Sequence, residues 1–99
     1  MDRTTALRIL RELQSSLHAR GVEHAALFGS VARGQNRPLS DIDVLITPKP
    51  GRKLDLFDLG AIQSILESGF EGRRVDVLVE PIRQTEIREA AREDRVHAF

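Results

Sequence analysis

His24-Ala25-Ala26-Leu27-Phe28-Gly29-Ser30, followed after ten intervening residues by Asp41-Ile42-Asp43-Val44-Leu45-Ile46, dictates the architecture of this chain. The first run is short, apolar and ends in a glycine, which fits a buried strand that turns sharply. The second is β-branched and apolar and is closed by Thr47-Pro48-Lys49-Pro50-Gly51, a strand and its exit loop. Between them lies a polar segment with Gly34 and Pro38, too short for a regular crossover helix of full length, so a purely parallel sheet is not expected.

Working outward, Ala6, Leu7, Leu10, Leu13 and Leu17 recur at helical spacing and Gly21 follows them, which predicts an amphipathic helix over 5–19. Leu56, Leu59, Ile62, Ile65 and Leu66 repeat the pattern. Asp55 stands where an N-cap belongs and Gly69 where a C-terminal glycine belongs. Val75-Asp76-Val77-Leu78-Val79 reads as a third strand, and Pro81 favours the first turn of a last helix running to about Arg92. Val96 and Phe99 in the tail suit either a short strand or simple packing. The order helix, strand, strand, helix, strand, helix gives an α/β or α+β fold, a mixed β-sheet flanked by helices.

With 99 residues the chain is expected to be a single domain, 1–99, carrying one site. Fifteen basic residues balance fifteen acidic ones, so no net field favours a polyanion, and four phenylalanines without tryptophan or tyrosine offer no stacking platform for single-stranded nucleic acid. Direct nucleic-acid binding is therefore not expected. No cysteine is present, which excludes disulfides, thiolate metal sites and a thiol nucleophile. No apolar run approaches the roughly 20 residues of a membrane span and the start lacks the apolar core of a signal peptide, so no membrane partner is expected and the cytoplasm is the default location.

The chemistry lies in the strands. Asp41 and Asp43 are one residue apart, and the period of two along a strand points both carboxylates to one face. Two like charges so close call for a compensating cation. A hard divalent ion held through oxygen resolves the conflict, and magnesium suits a few carboxylates combined with substrate phosphates. Asp76 interrupts an apolar strand, where a lone buried charge would be costly, and a third ligand to the same site accounts for it. Gly29 lets a phosphate approach the backbone, and the Ser30 hydroxyl with the free amides of a helix start can donate to phosphate oxygens. Arg33 reads either as a phosphate contact or as a solvated turn residue. No Walker loop or dinucleotide fingerprint is present. His18, His24 and His97 share no metal spacing, and Arg73-Arg74 reads as the solvated start of a strand, with phosphate contact the lesser alternative.

Ala26-Leu27-Phe28-Gly29-Ser30-Val31-Ala32-Arg33-Gly34 and then Ser40-Asp41-Ile42-Asp43-Val44-Leu45-Ile46 resemble the Gly-Ser, ten residues, Asp-x-Asp signature of the DNA polymerase beta nucleotidyltransferase superfamily. Within it, the short length and the Gly-Ser-x-Ala-Arg-Gly form are similar to the minimal nucleotidyltransferases. The resemblance implies a polymerase beta-like mixed sheet with flanking helices. It implies that Asp41 and Asp43 bind two Mg²⁺ ions with the triphosphate, that Asp76 binds the acceptor-side ion, and that Ser30 and the Gly29 backbone hold the terminal phosphates. The implied reaction is a two-metal, in-line transfer with ATP as substrate and pyrophosphate leaving. Chains of this minimal type also resemble the antitoxin half of a two-gene module whose other half is a helical HEPN-type ribonuclease toxin, which implies AMP transfer to a toxin tyrosine. Two alternatives stay open: an antitoxin that neutralises its partner by binding alone, and a nucleotidyltransferase acting on a small molecule.

Overall fold

The computed structural model describes residues 1–35, 41–81 and 95–99. Its elements are α1 (Arg3–Glu12), α2 (Gln14–Ala19), β1 (Val22–Phe28), α3 (Gly29–Arg33), β2 (Ile42–Pro48), α4 (Leu56–Gly69), β3 (Val75–Val79) and β4 (Val96–His97). The strands form one sheet in the order β3-β2-β1-β4. β1 runs antiparallel to both β2 and β4, whereas β2 and β3 are parallel, so the expected mixed sheet is what forms. The antiparallel β1–β2 pair needs no crossover. The parallel β2–β3 pair does, and α4 supplies it.

Strand periodicity separates the two faces of the sheet. Val22, Ala25 and Leu27 of β1, Ile42, Val44 and Ile46 of β2 and Val75 of β3 join Leu10, Leu17, Ile62, Leu66 and Phe70 from the helices in the main core. The second face carries a smaller apolar cluster, Leu45 with Phe28 and Leu78. Each fully buried leucine or isoleucine contributes roughly 1.5–3 kcal/mol relative to exposure, so the helix-covered face dominates stability.

Three boundaries differ from the expected ones. Asp2 accepts a hydrogen bond from the Thr5 amide at 2.7 Å and caps α1, which therefore starts at Arg3. The helix expected over 5–19 is two helices that break at Leu13, whose amide is shared between the Ile9 and Leu10 carbonyls at 3.1 Å each. The apolar spacing Leu10, Leu13, Leu17 carries through the break, so periodicity cannot show it. Gly69 is the last residue of α4 rather than a left-handed cap, and the left-handed positions are Glu71 and Gly72. A Cβ at Gly69 would stand 2.6 Å from Leu13 Cδ1, so this glycine is where the α1–α2 joint packs closely on α4.

The tail forms the short strand β4, with Ala98 buried and Phe99 edge-on to His18 at 5.3 Å between ring centroids. The last helix expected beyond Pro81 lies outside the described residues, as does Ser40.

Asp55 caps α4 as expected, accepting from the Asp58 amide at 2.7 Å, while the Asp58 carboxylate accepts from the Asp55 amide at 3.2 Å. This reciprocal box also receives Arg52 Nη2 on Asp58 at 3.1 Å. Replacing Asp55 with alanine should cost about 1 kcal/mol, which in a domain of this size lowers the melting temperature by about 4–8 °C. Thermal unfolding followed by circular dichroism checks this, and an unchanged midpoint would show that the cap contributes nothing.

Candidate functional site

The candidate site forms where the C-terminal end of β1 meets the N-terminal ends of β2 and β3. In the ladders, Phe28 is paired with Asp43, and Asp43 is paired in turn with Asp76. Gly29 follows Phe28 directly and so arrives beside Asp43. Its φ is +73°, a conformation side chains rarely adopt, and an added Cβ would run into Asp43 Oδ2 and lie 3.1 Å from Cγ. Glycine is thus required here by backbone conformation and by the carboxylate it touches.

Asp41 immediately precedes β2, and the next residue, Ile42, is tied by its amide to the Arg74 carbonyl at 3.0 Å. Asp41 and Asp76 are each 44% exposed. The expectation that Asp76 is a buried charge is therefore corrected: it sits at the open end of the ladder and has an ionic neighbour. That neighbour is Arg74, whose Nε lies 3.5 Å from Asp76 Oδ1 and 3.7 Å from Asp41 Oδ2. Reading Arg73-Arg74 as a solvated strand start captured the exposure of Arg74 and missed this contact. The signal was available: Arg74 precedes Asp76 by two residues, which places both on one face of an extended chain.

The three carboxylates feel one another. Partial burial first, and then the charges of Asp76 and Asp41, push the Asp43 carboxyl up from 3.8 to about 6, against the opposing pull of Arg33. Arg33 is thus within electrostatic reach of Asp43 while its Nε donates to Gln35 Oε1 at 3.1 Å. Ser30 lies in the first turn of the short helix α3, half-buried, and its carbonyl accepts from the Gln35 amide at 2.9 Å.

Among the described residues no three acidic, histidine or cysteine side chains converge on one point as a closed metal cage. The donor chemistry nevertheless suits a hard divalent cation. Three carboxylates gather where β2 and β3 begin, and the charges of Asp76 and Asp41 add to burial in raising the Asp43 carboxyl. A separate cleft of about 800 Å³, lined by residues including Thr47, Pro48, Arg52, Leu59, Val79 and Glu80, lies at the opposite ends of β2 and β3 and contains none of the aspartates. Among the described residues no helix is long and apolar enough to cross a membrane.

With this sheet and this glycine-led turn beside the aspartates in place, the family profile described as Nucleotidyltransferase domain matches residues 5–97. The chain belongs to that family and is a nucleotidyltransferase with a nucleotide substrate. A protein of Methanocaldococcus jannaschii assigned as a protein adenylyltransferase is 39% identical over 70 residues, covering 71% of this chain and 72% of its own. A solved structure assigned as a minimal nucleotidyltransferase superposes with a TM-score of 0.75 at 35% identity, covering 97% of this chain and 95% of its own. A chain from a toxin–antitoxin crystal structure with AMP-PNP superposes with a TM-score of 0.69 over 100% of this chain and 73% of its own. At 18% identity that last likeness speaks for the fold alone.

Two outcomes follow from this geometry. Gly29→Ala should destabilise the fold on the order of 1–2 kcal/mol, and adding Asp43→Ala should recover part of the loss, because the Cβ and the carboxylate compete for the same space. A double-mutant cycle by denaturant unfolding reads this, and strict additivity would sever the two residues.

The second outcome concerns pH. The folded Asp43 carboxyl titrates above its unfolded value, so its stabilising contribution is full below about pH 3.8 and is lost as the pH rises through about 6. Asp43→Asn never acquires that charge. Its melting temperature relative to the parent chain should rise between about pH 4 and about pH 7 in chelator and then level off. A difference that does not vary with pH would mean that neither burial nor the neighbouring carboxylates raise the Asp43 carboxyl in the folded chain.

Proposed function

We propose that this chain transfers AMP from ATP to a hydroxyl, that of a tyrosine, on a partner HEPN-type ribonuclease toxin in the cytoplasm, and that it acts thereby as the toxin's antitoxin. The observation that carries the reading is the ladder pairing of Asp43 with Asp76, with Asp41 and Gly29 beside them. The relative assigned as a protein adenylyltransferase supports a protein acceptor and an adenylyl donor. The toxin–antitoxin neighbour crystallised with AMP-PNP, which shares this fold, supports a toxin partner and an adenine nucleotide donor.

In this reading residues 1–99 act as one domain. Asp41, Asp43 and Asp76 would hold the two Mg²⁺ ions, Asp41 and Asp43 together with the triphosphate and Asp76 toward the acceptor hydroxyl. Gly29 brings the backbone of the β1–α3 turn close to the phosphates, Ser30 donates to them, and Arg33 adds positive charge on the same side. When bound, magnesium supplies the charge that stabilises the phosphoryl oxygens in the transition state. The acceptor oxygen forms a bond to the α-phosphorus as the α-phosphorus–oxygen bond to the β-phosphate breaks, pyrophosphate leaves with that electron pair, and the hydroxyl proton passes to solvent. The products are the AMP ester and pyrophosphate, and no protein nucleophile is needed.

Mass spectrometry of the partner toxin after incubation with this protein, ATP and Mg²⁺ should show added AMP. Asp41→Asn should lower the modification by orders of magnitude while leaving the fold intact, since it removes a ligand and also relieves repulsion. Asp76→Ala should keep triphosphate affinity near that of the parent chain and lose turnover. A toxin that stays unmodified yet is silenced, by Asp41→Asn as well, would establish neutralisation by contact and end the enzymatic reading.

A further inference from the structure

Arg74 is the residue at the site that the roles above leave unused. Its backbone is fixed, because its carbonyl accepts from the Ile42 amide at 3.0 Å at the mouth of the β2–β3 ladder. Its side chain is not fixed in the same way: it is 75% exposed and meets Asp41 and Asp76 at 3.7 and 3.5 Å, ion-pair rather than hydrogen-bond distances. Each carboxylate is 44% exposed. Exposed pairs of this kind are weak and readily exchanged. The guanidinium lies within ion-pair distance of both carboxylates, so a divalent cation bound to the same oxygens would compete with it for them.

We propose that Arg74 is a built-in counter-ion of the acidic site, bridging Asp41 and Asp76 when no divalent cation is bound and displaced when one binds. The proposal rests on the reading that these aspartates hold magnesium. It gives a role to the guanidinium that spans Asp41 and Asp76. It also makes Arg74 a determinant of metal affinity: every bound divalent ion must first break two ion pairs and then tolerate a nearby positive charge. The long side chain on an anchored backbone suits this exchange, since the guanidinium can swing into solvent without disturbing the ladder.

The test is a titration of the full chain with Mg²⁺ alone, followed by amide chemical shifts around Asp43 and Asp76, on the parent chain, Arg74→Gln, Arg74→Lys and Asp43→Asn. Arg74→Gln should bind Mg²⁺ about three- to tenfold more tightly, a gain that damage to the fold would not produce. Arg74→Lys, which keeps the charge, should stay close to the parent chain. The advantage of Arg74→Gln should shrink as monovalent salt rises, because solvent-exposed charges are screened. Unchanged or weaker binding by Arg74→Gln, or binding by Arg74→Lys as tight as that of Arg74→Gln, overturns the counter-ion role. Those results leave the metal site standing provided that Asp43→Asn loses affinity. Undiminished binding by Asp43→Asn overturns the metal reading itself.

Discussion

The parallel register between β2 and β3 sets Asp43 directly across from Asp76, and nearly everything else in the molecule serves that register. The same ladder pairs Ile42 with Val75, Val44 with Val77 and Ile46 with Val79 toward the helix-covered core, and Leu45 with Leu78 on the second face. A slip of one residue would turn Asp76 into the core and Val75 and Val77 out of it. The apolar pairs therefore hold the carboxylates in place. α4 closes the crossover, and Gln63 Nε2 donates to the Val75 carbonyl at 2.7 Å, fastening the helix to the beginning of β3 where the placement of Asp76 is decided.

The sequence showed the parts governed by local rules. Strand alternation displayed the shared face of Asp41 and Asp43, and the apolar context of Asp76 marked it as unusual. The glycine at 29 announced a turn, and the short connection from β1 to β2 announced mixed pairing. What stayed illegible depends on contacts between distant segments. The break at Leu13 leaves helical periodicity intact. The role of Gly69 is set by Leu13, far away in the chain, and a glycine near a helix end looks the same whether it reverses the backbone or makes room for a neighbour. Arg74 was read as solvated, and it is; ion pairing is compatible with exposure, and its partner Asp41 stands at the entrance of another strand. The half-exposure of Asp76 was likewise hidden, since an apolar strand does not reveal which of its positions lie at the end of a sheet.

A charge cluster in so small a protein must be affordable to the fold. Setting the aspartates at strand ends leaves Asp41 and Asp76 partly in water, which avoids most of the desolvation that a central position would impose. Asp43, paired in the ladders with Phe28 on one side and Asp76 on the other, bears the cost, and burial first and then its neighbours' charges raise its pKa. The helix-covered core lies on the other face and is made of apolar residues, so the repulsion is confined to a region that contributes little to cohesion. Stability and chemistry are divided between the two faces of a single sheet.

The mixed topology is what makes such a site possible with only a few strands. β1 ends where β2 and β3 begin because β1 is antiparallel to β2 and β3 is parallel to it. Were β1 parallel to β2, its C-terminal turn would emerge at the far end of the sheet, separated from Asp43 by the length of a seven-residue strand, roughly 20 Å. Gly29 and the first turn of α3 would then have no carboxylate to pack against. The antiparallel step brings the turn and the aspartates together without a further domain, and the parallel step that follows adds Asp76 from the next strand on the same face. The order of strand directions, more than any single residue, is thus what converts two short motifs separated by ten residues, and a third far along the chain, into one site.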